Sequence, residues 1–335
     1  MREVDLQLEP NEASDLCAVF DAPTLERLNW DRAFVTVLDE APVKRAIAVL
    51  GHARGADPDE GWTAVQPKGK PSPKGKIEDA ESCARFDGWV YVLGSQFGKK
   101  QGPLEPRRSW IARVREDELA RGVDGDRPKV ELALLRFGLH RAVNDALSGA
   151  QIDLLALGAS ARDAYIDATI ARGAAKDKRW AGRVRSSDHP INVEGAEFRP
   201  DGRMLLGLRY PVTADGHPIL VELEDPAAIF AEPDRVPACS RVWVLHDEGI
   251  AGEPMGVRAL HARGTDSFDA IVGNLDSAGK DAAVLEDHPH AVEATSRHVC
   301  FSLPMLAAGG DVATELVHDF ADQHRVEGVA LGPGG

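Results

Sequence analysis

No C-x-x-C pair occurs in this 335-residue chain, whose four cysteines, Cys17, Cys83, Cys239 and Cys300, are scattered. That spacing fits neither a zinc knuckle nor a thioredoxin-like redox motif, and leaves reduced, buried thiols as the expectation. No window approaches the ~20 consecutive apolar residues of a membrane span. The opening Met1-Arg2-Glu3-Val4-Asp5 lacks the basic-then-apolar run of a secretion signal, so a soluble, cytoplasmic protein is expected. Acidic residues outnumber basic ones, 54 to 39. A net charge of −15 argues against nucleic acid as a partner for the whole surface, because its phosphates would be repelled. No serine sits in a G-x-S-x-G elbow. Gly94-Ser95-Gln96-Phe97-Gly98-Lys99 is one residue short of a phosphate loop and has no Ser or Thr after the lysine. No nucleotide or redox cofactor is expected.

What the chain does have is apolar substance and many turns. Hydrophobic residues make up 43%, enough for a sizeable core. The 32 Gly and 21 Pro are about 16% of the chain against a usual ~12%, which suits many short strands joined by tight turns. An internal repeat organises them. Asp79-Ala80-Glu81-Ser82-Cys83, then Phe86-Asp87-Gly88, then Trp89-Val90-Tyr91-Val92-Leu93-Gly94-Ser95 form one copy. Asn192-Val193-Glu194-Gly195-Ala196-Glu197-Phe198, then Pro200-Asp201-Gly202, then Arg203-Met204-Leu205-Leu206-Gly207-Leu208-Arg209 form another, aligned with one-residue shifts. A carboxylate opens a short strand, an Asp-Gly pair turns the chain, and an apolar strand returns.

Weaker copies open at Ser14-Asp15-Leu16, Gly256-Val257-Arg258 and Arg325-Val326-Glu327. Further strands are expected at Ala33 to Leu38, Arg45 to Leu50, Ser109 to Val114, Val130 to Leu135, Ile219 to Leu223, Arg241 to Leu245, Asp269 to Asn274 and Val299 to Leu303. Asp15, Glu81, Glu194, Arg258 and Glu327 are separated by 66, 113, 64 and 69 residues, three intervals alike and one long. A four-strand unit of that length predicts an all-β, single-domain β-propeller over residues 1–335, with five or six blades. The long interval predicts an insertion at residues 139–182, and its Ala- and Leu-rich helical spacing predicts amphipathic helices rather than another blade. Residues 4–8 alternate and are a candidate closing strand, and after Ala330 the chain has too little left for a whole blade. A two-domain α/β enzyme would need a strand–helix alternation that is not found.

The first strands of propeller blades lie innermost and run the same way, so equivalent positions meet at one rim. Asp15, Glu81, Glu194 and Glu327 are therefore expected to form a crown of carboxylates, joined by Arg258. Crowded carboxylates need a cation, a basic partner or raised pKa values. An all-oxygen set favours Ca²⁺ or Mg²⁺ over zinc, and Ca²⁺ is the candidate cofactor. The same acids would serve equally to cap strands and bind local N–H groups or arginines. Cations cluster nearby: Lys68, Lys70, Lys74 and Lys76 in a Pro-Gly stretch, and Lys99, Lys100, Arg107 and Arg108 after Gly94-Ser95. With Arg209, at nearly the place of Ser95 in its own repeat, they suit a phosphate or carboxylate ligand. The lysine run by itself reads better as a solvated, flexible loop. Glu286, Asp287, His288, His290 and Glu293 form a local acid–histidine cluster with no further ligand to complete it.

The E-G opening at Glu194-Gly195, the P-D-G turn and the L-L-G-L-R-x-P strand from Leu205 to Pro211 resemble a bacterial family catalogued as domain of unknown function 3616. The earlier Glu81-Ser82 opening, the Gly94-Ser95 strand end and the basic Lys99-Lys100 loop extend the likeness, which runs from about Ser14 to Val329. Gln96 and Phe97 depart from it, standing where a histidine and a small polar residue are expected. More distantly the chain is similar to phytase-like esterases and lactonase-type propellers, whose E-G glutamate on an inner strand binds a metal. The expected crown and the local cations predict a propeller that binds a small anionic ligand or a protein partner at its rim. Its enzymatic alternative is a metal-assisted hydrolase of a phosphate ester or lactone, with Glu81, Glu194 and Glu327 on the metal and Arg209 and Lys99 on the substrate.

Overall fold

The computed structural model describes residues 8, 13–39, 41–232, 235–246, 253–275, 282–286, 295–320 and 326–330. Residues 4–7 of the candidate closing strand, Arg325, and 287–293 of the acid–histidine cluster lie outside them. The protein is mostly β. Its first sheet is an antiparallel meander of β1 (Ala13–Ala18), β2 (Trp30–Leu38), β3 (Ile47–Ala53) and β4 (Trp62–Val65). The second has a short strand β5 (Lys70–Ser72) followed by a meander of β6 (Ala80–Phe86), β7 (Trp89–Gly94), β8 (Trp110–Arg115) and β9 (Lys129–Leu134). In it β5 lies parallel along the outer edge of β9. The third sheet joins two meanders. One is β10 (Asn192–Phe198), β11 (Met204–Tyr210), β12 (Ile219–Leu223) and β13 (Cys239–His246); the other is β14 (Met255–Ala262), β15 (Ser267–Asn274), β16 (Ser296–Ser302) and β17 (Gly310–Asp319). Parallel pairing of β13 with β17 links them, and β10 and β14 lie side by side, so this eight-stranded sheet is nearly closed.

The apolar runs of the sequence are explained by burial on both faces. Along β7 and β8, Val90, Val92, Ala112 and Val114 pack with Val35, Val37 and Val49 of the first sheet. Their alternating neighbours Tyr91, Leu93 and Ile111 pack with Val193, Leu206 and Ile219 of the third. Beyond that, Leu205 and Leu220 meet Val257, Phe268 and Val272 between the two halves of the eight-stranded sheet. A strand buried on both faces reads as continuous hydrophobicity instead of alternation. The Asp87-Gly88 turn has φ of 47° and 73°, the left-handed pair that a two-residue hairpin needs. Cys17 and Cys83 are buried, and all four cysteines are free.

The four first strands neighbour one another in chain order, β1 beside β6, β6 beside β10 and β10 beside β14. Residues 326–330 reach both remaining edges: the Glu327 carbonyl accepts from the Asp15 N–H, and its carboxylate pairs with Arg258 on β14. Each first strand carries a β-bulge, located between Ser14 and Leu16, Ala80 and Ser82, Val193 and Gly195, and Val257 and Ala259. The residue inside each bulge is Asp15, Glu81, Glu194 or Arg258.

Between the second and third sheets the chain is helical, as its composition predicts. Gly138–Gly149 is an α-helix, followed by Ala159–Ala161, a π turn over Arg162–Asp167 and a helix over Ala168–Ala175. Phe97, Leu104, Phe137, Tyr165, Ile166, Trp180 and Tyr210 form its own apolar cluster. Among the described residues no helix is long and apolar enough to cross a membrane.

Candidate functional site

A bulge leaves its extra residue out of the ladder and re-aims its side chain. The sequence predicts that the four bulge residues and Glu327 converge as a crown, and the structure divides that crown into three kinds of pairing.

Asp15 is met by backbone donors. Its carboxylate accepts the Leu16 N–H at 2.8 Å and the Cys83 N–H of β6 at 3.0 Å, and it is 2% exposed. Burial pushes its pKa well up, against the lowering effect of those two N–H groups. It is a buttress between first strands, with its oxygens committed to backbone donors. Glu197, three residues beyond the β10 bulge residue Glu194, does the same: it accepts from Phe198 N–H at 2.7 Å and from Ala262 N–H of β14 at 2.9 Å. Burial pushes Glu197 up to about 7. Sequence reasoning gave Glu197 no role, because one acid three residues from another carries no distinguishing signal.

Glu194 and Glu327 are met by arginines. Glu194 pairs with Arg209 of β11 and touches Asn192 Nδ2 at 3.5 Å. Arg209 is 8% exposed; burial opposes its charge, while Glu194 first and then Glu81 and Glu327 hold it charged. Arg209 therefore sits among three glutamates of the expected crown, in the place assigned to a metal. Glu327 Oε1 lies 3.0 Å from Arg258 Nη1. The Arg209 Nη2, Glu194 Oε2 and Asn192 Oδ1 atoms are buried without a hydrogen-bond partner among the described residues.

Glu81 has neither kind of partner. Its Oε2 accepts from Ser14 Oγ at 3.3 Å, and it belongs to a group with Asp39 and Asp79 whose oxygens lie within 4.8 Å of one another. Burial first, then the charges of Asp79, Asp39 and Glu194, pushes its pKa well up, with Arg209 acting against them. Asp79 is also raised by burial, opposed by Arg108, whose Nη1 lies 2.9 Å from Asp79 Oδ1. Of the four acids expected to bind metal, only Glu81 belongs to this compact group. Asp39 was not foreseen. It follows the second strand of its repeat, not the opening, so the repeat gave no reason to choose it.

The other expected ligand residues separate likewise. Ser95 is buried beside Asp79: its N–H donates to the Asp79 carbonyl at 3.1 Å, its Oγ accepts from Phe97 N–H at 3.1 Å, and its carbonyl accepts from Val193 at 2.8 Å. Gln96 donates to the Gly94 and Trp110 carbonyls at 2.9 and 3.2 Å and holds the loop's shape. Lys99 and Lys100 are exposed and make no ion pair among the described residues; the Lys100 carbonyl anchors the Tyr165 hydroxyl at 2.6 Å. Tyr165, held near Arg209 and Arg108 by the helical insertion, is raised chiefly by burial. No family model and no curated protein matches the chain.

Proposed function

We propose that the meanders are blades of a β-propeller whose channel rim binds a small anionic ligand together with one divalent cation. The equivalent bulges, the chain-order contacts of β1, β6, β10 and β14, and the insertion of residues 326–330 at a fifth position support a five-position ring. The strand from Leu205 to Pro211, which carries the resemblance to domain of unknown function 3616, also delivers Arg209.

One observation carries the cation: the Asp39, Asp79 and Glu81 oxygens lie within 4.8 Å of one another. Two oxygens on opposite sides of a Ca²⁺ ion are about 4.8 Å apart, at the usual ~2.4 Å from it. Three ionised carboxylates at that spacing repel unless a proton or cation intervenes, and oxygen donors suit Ca²⁺ or Mg²⁺. Burial is the main cause of the raised pKa of both Glu81 and Asp79, and at Glu81 the charges of Asp79 and Asp39 add a repulsion that a cation would relieve. Arg209, with Nη2 unpartnered, supplies a guanidinium amine for the anion. A hydrolase would need a base as well. Ser95 and Gln96 are engaged with the backbone, and binding is the reading the geometry favours.

Thermal denaturation with Ca²⁺, and with Ca²⁺ plus inorganic phosphate, tests this. Ca²⁺ is expected to raise Tm, the gain reaching about 2.7 kcal/mol at a hundred times Kd. Glu81→Gln is expected to lose most of that gain while equalling or exceeding wild type in metal-free buffer, since it removes a crowded charge. Phosphate is expected to add stability only with Ca²⁺ present and Arg209 intact. A wild type indifferent to both Ca²⁺ and Mg²⁺ refutes the cation.

A further inference from the structure

Away from the rim, two adjoining clefts concentrate positive charge on an acidic protein. One, of about 700 Å³, is bordered by Lys44, Lys70, Lys74, Lys76, Arg107 and Arg127, with Glu78 as its acid. The other, of about 610 Å³, shares Lys76 and Arg107 and adds Arg136, Arg172, Lys176, Lys178 and Arg179, with Glu105 and Asp177. Shared borders make them one surface. Much of the neutralisation is internal: Arg107 pairs with Glu78 at 3.4 Å, and Arg172 with Glu105 at 2.9 Å. Lys44, Lys70, Lys74, Lys76, Arg127 and Arg136 are exposed, as are Lys176, Lys178 and Arg179, and none has a carboxylate within 4.0 Å among the described residues. Nine such cations face one such acid, Asp177. With a screening length of about 8 Å in physiological salt, this local excess governs what docks there more than the distant net charge.

We infer that these clefts form a docking surface for an extended acidic segment of a partner protein. Charge complementarity selects an anionic partner, and the apolar parts of the walls narrow the class. Pro42, Val43, Pro71 and Ile77 border the larger cleft and suit aliphatic or prolyl side chains between acidic ones. A single-stranded nucleic acid would need aromatic faces for its bases. Here Trp180 is 7% exposed and packed edge-on against Phe137 at 4.9 Å. The large hydrophobics exposed among the described residues are Val236, Leu306, Leu316 and Val317, none of them aromatic. Net charge outside the clefts also disfavours a long polyanion and leaves room for a short acidic stretch.

The test is fluorescence anisotropy with a labelled peptide of alternating Glu and Pro, at low and physiological salt. Wild type binds it, and adding salt weakens the complex. Lys74→Glu/Lys76→Glu in one cleft and Lys176→Glu/Lys178→Glu in the other each weaken binding roughly tenfold or more. Neutral Lys74→Gln/Lys76→Gln gives an intermediate loss, and circular dichroism spectra stay superimposable, since these side chains are exposed. A labelled peptide of alternating Lys and Pro fails to bind. Absence of binding to the Glu-Pro peptide at low salt overturns the inference. So does binding that neither double reversal weakens, or a labelled oligothymidine that binds more tightly than the peptide and displaces it.

Discussion

Glu197→Gln removes a carboxyl whose proton affinity is set by the fold. The wild-type carboxyl is buried between two backbone N–H donors, with His261 Nδ1 3.7 Å away, and burial moves its pKa from 4.5 to about 7. A raised folded pKa means that the folded protein binds the proton more tightly than the unfolded chain. The group's stabilising contribution is therefore complete below about pH 4.5, falls as pH rises through 7, and is constant above. At about 1.4 kcal/mol per pH unit the loss is roughly 3 kcal/mol. Glutamine does not titrate, but it offers one carbonyl oxygen to two donors, which costs about 1–3 kcal/mol at every pH. Urea denaturation from pH 4.5 to 8 separates the two effects. The stability of Glu197→Gln relative to wild type is expected to improve by roughly 3 kcal/mol across that interval, whatever its starting offset. His261, lowered chiefly by its own burial, titrates in both proteins, and repeating the pair in a His261→Asn background removes its contribution. A difference that stays flat with pH refutes the buried-carboxyl argument.

Two further predictions probe the packing of the first strands. Asp15 has φ of 53° and accepts two N–H groups, so Asp15→Asn, which tolerates that backbone and keeps one acceptor, is expected to be near neutral. Asp15→Ala is expected to be about 2 kcal/mol less stable than Asp15→Asn in urea denaturation; equal stability of the two would show that the carboxylate is not a buttress. At Gly207 an added Cβ would press well inside contact distance of Val257 on β14. Gly207→Ala is expected to cost about 1–3 kcal/mol, and Val257→Ala in the same chain to recover much of it. Additive losses in that double mutant would mean that β11 and β14 do not pack as described.

Local chemistry made much of this architecture legible. Asp87-Gly88 announces its hairpin because both residues accept positive φ. The strand expected from Ile219 to Leu223 has those bounds in the structure, since a short apolar run between turn residues has few other uses. The repeat openings singled out Asp15, Glu81, Glu194 and Arg258, which the structure places in equivalent bulges, although the bulges themselves leave no mark in the sequence pattern. β17 escaped notice: it is flanked by β13 and β16, yet Gly310–Asp319 is largely exposed with only Val312 buried, and so little burial leaves almost no hydrophobic pattern. The parallel pairings of β13 with β17 and β5 with β9 join segments far apart in the chain, so no local motif encodes them. Lys99 and Lys100 were drawn toward the site by nearness in sequence to Ser95, but the loop leaves them exposed while Arg108, further along, turns back to Asp79.

The division of labour among the bulge residues also explains where unbalanced charge collects. Asp15 is bound to backbone donors. Arg209 is committed to Glu194, Arg258 to Glu327, and Arg108 to Asp79 and, at 3.6 Å, to Glu78. Glu81 is the bulge carboxylate with neither kind of partner among the described residues, and it lies against Asp39 and Asp79. Burial and those neighbouring charges hold its pKa well up, so a proton meets there the charge that the proposed cation would balance. On that proposal protons and cation compete for Glu81, and Ca²⁺ affinity titrated at several pH values is expected to rise with pH until Glu81 is ionised. An affinity that does not change with pH refutes the competition.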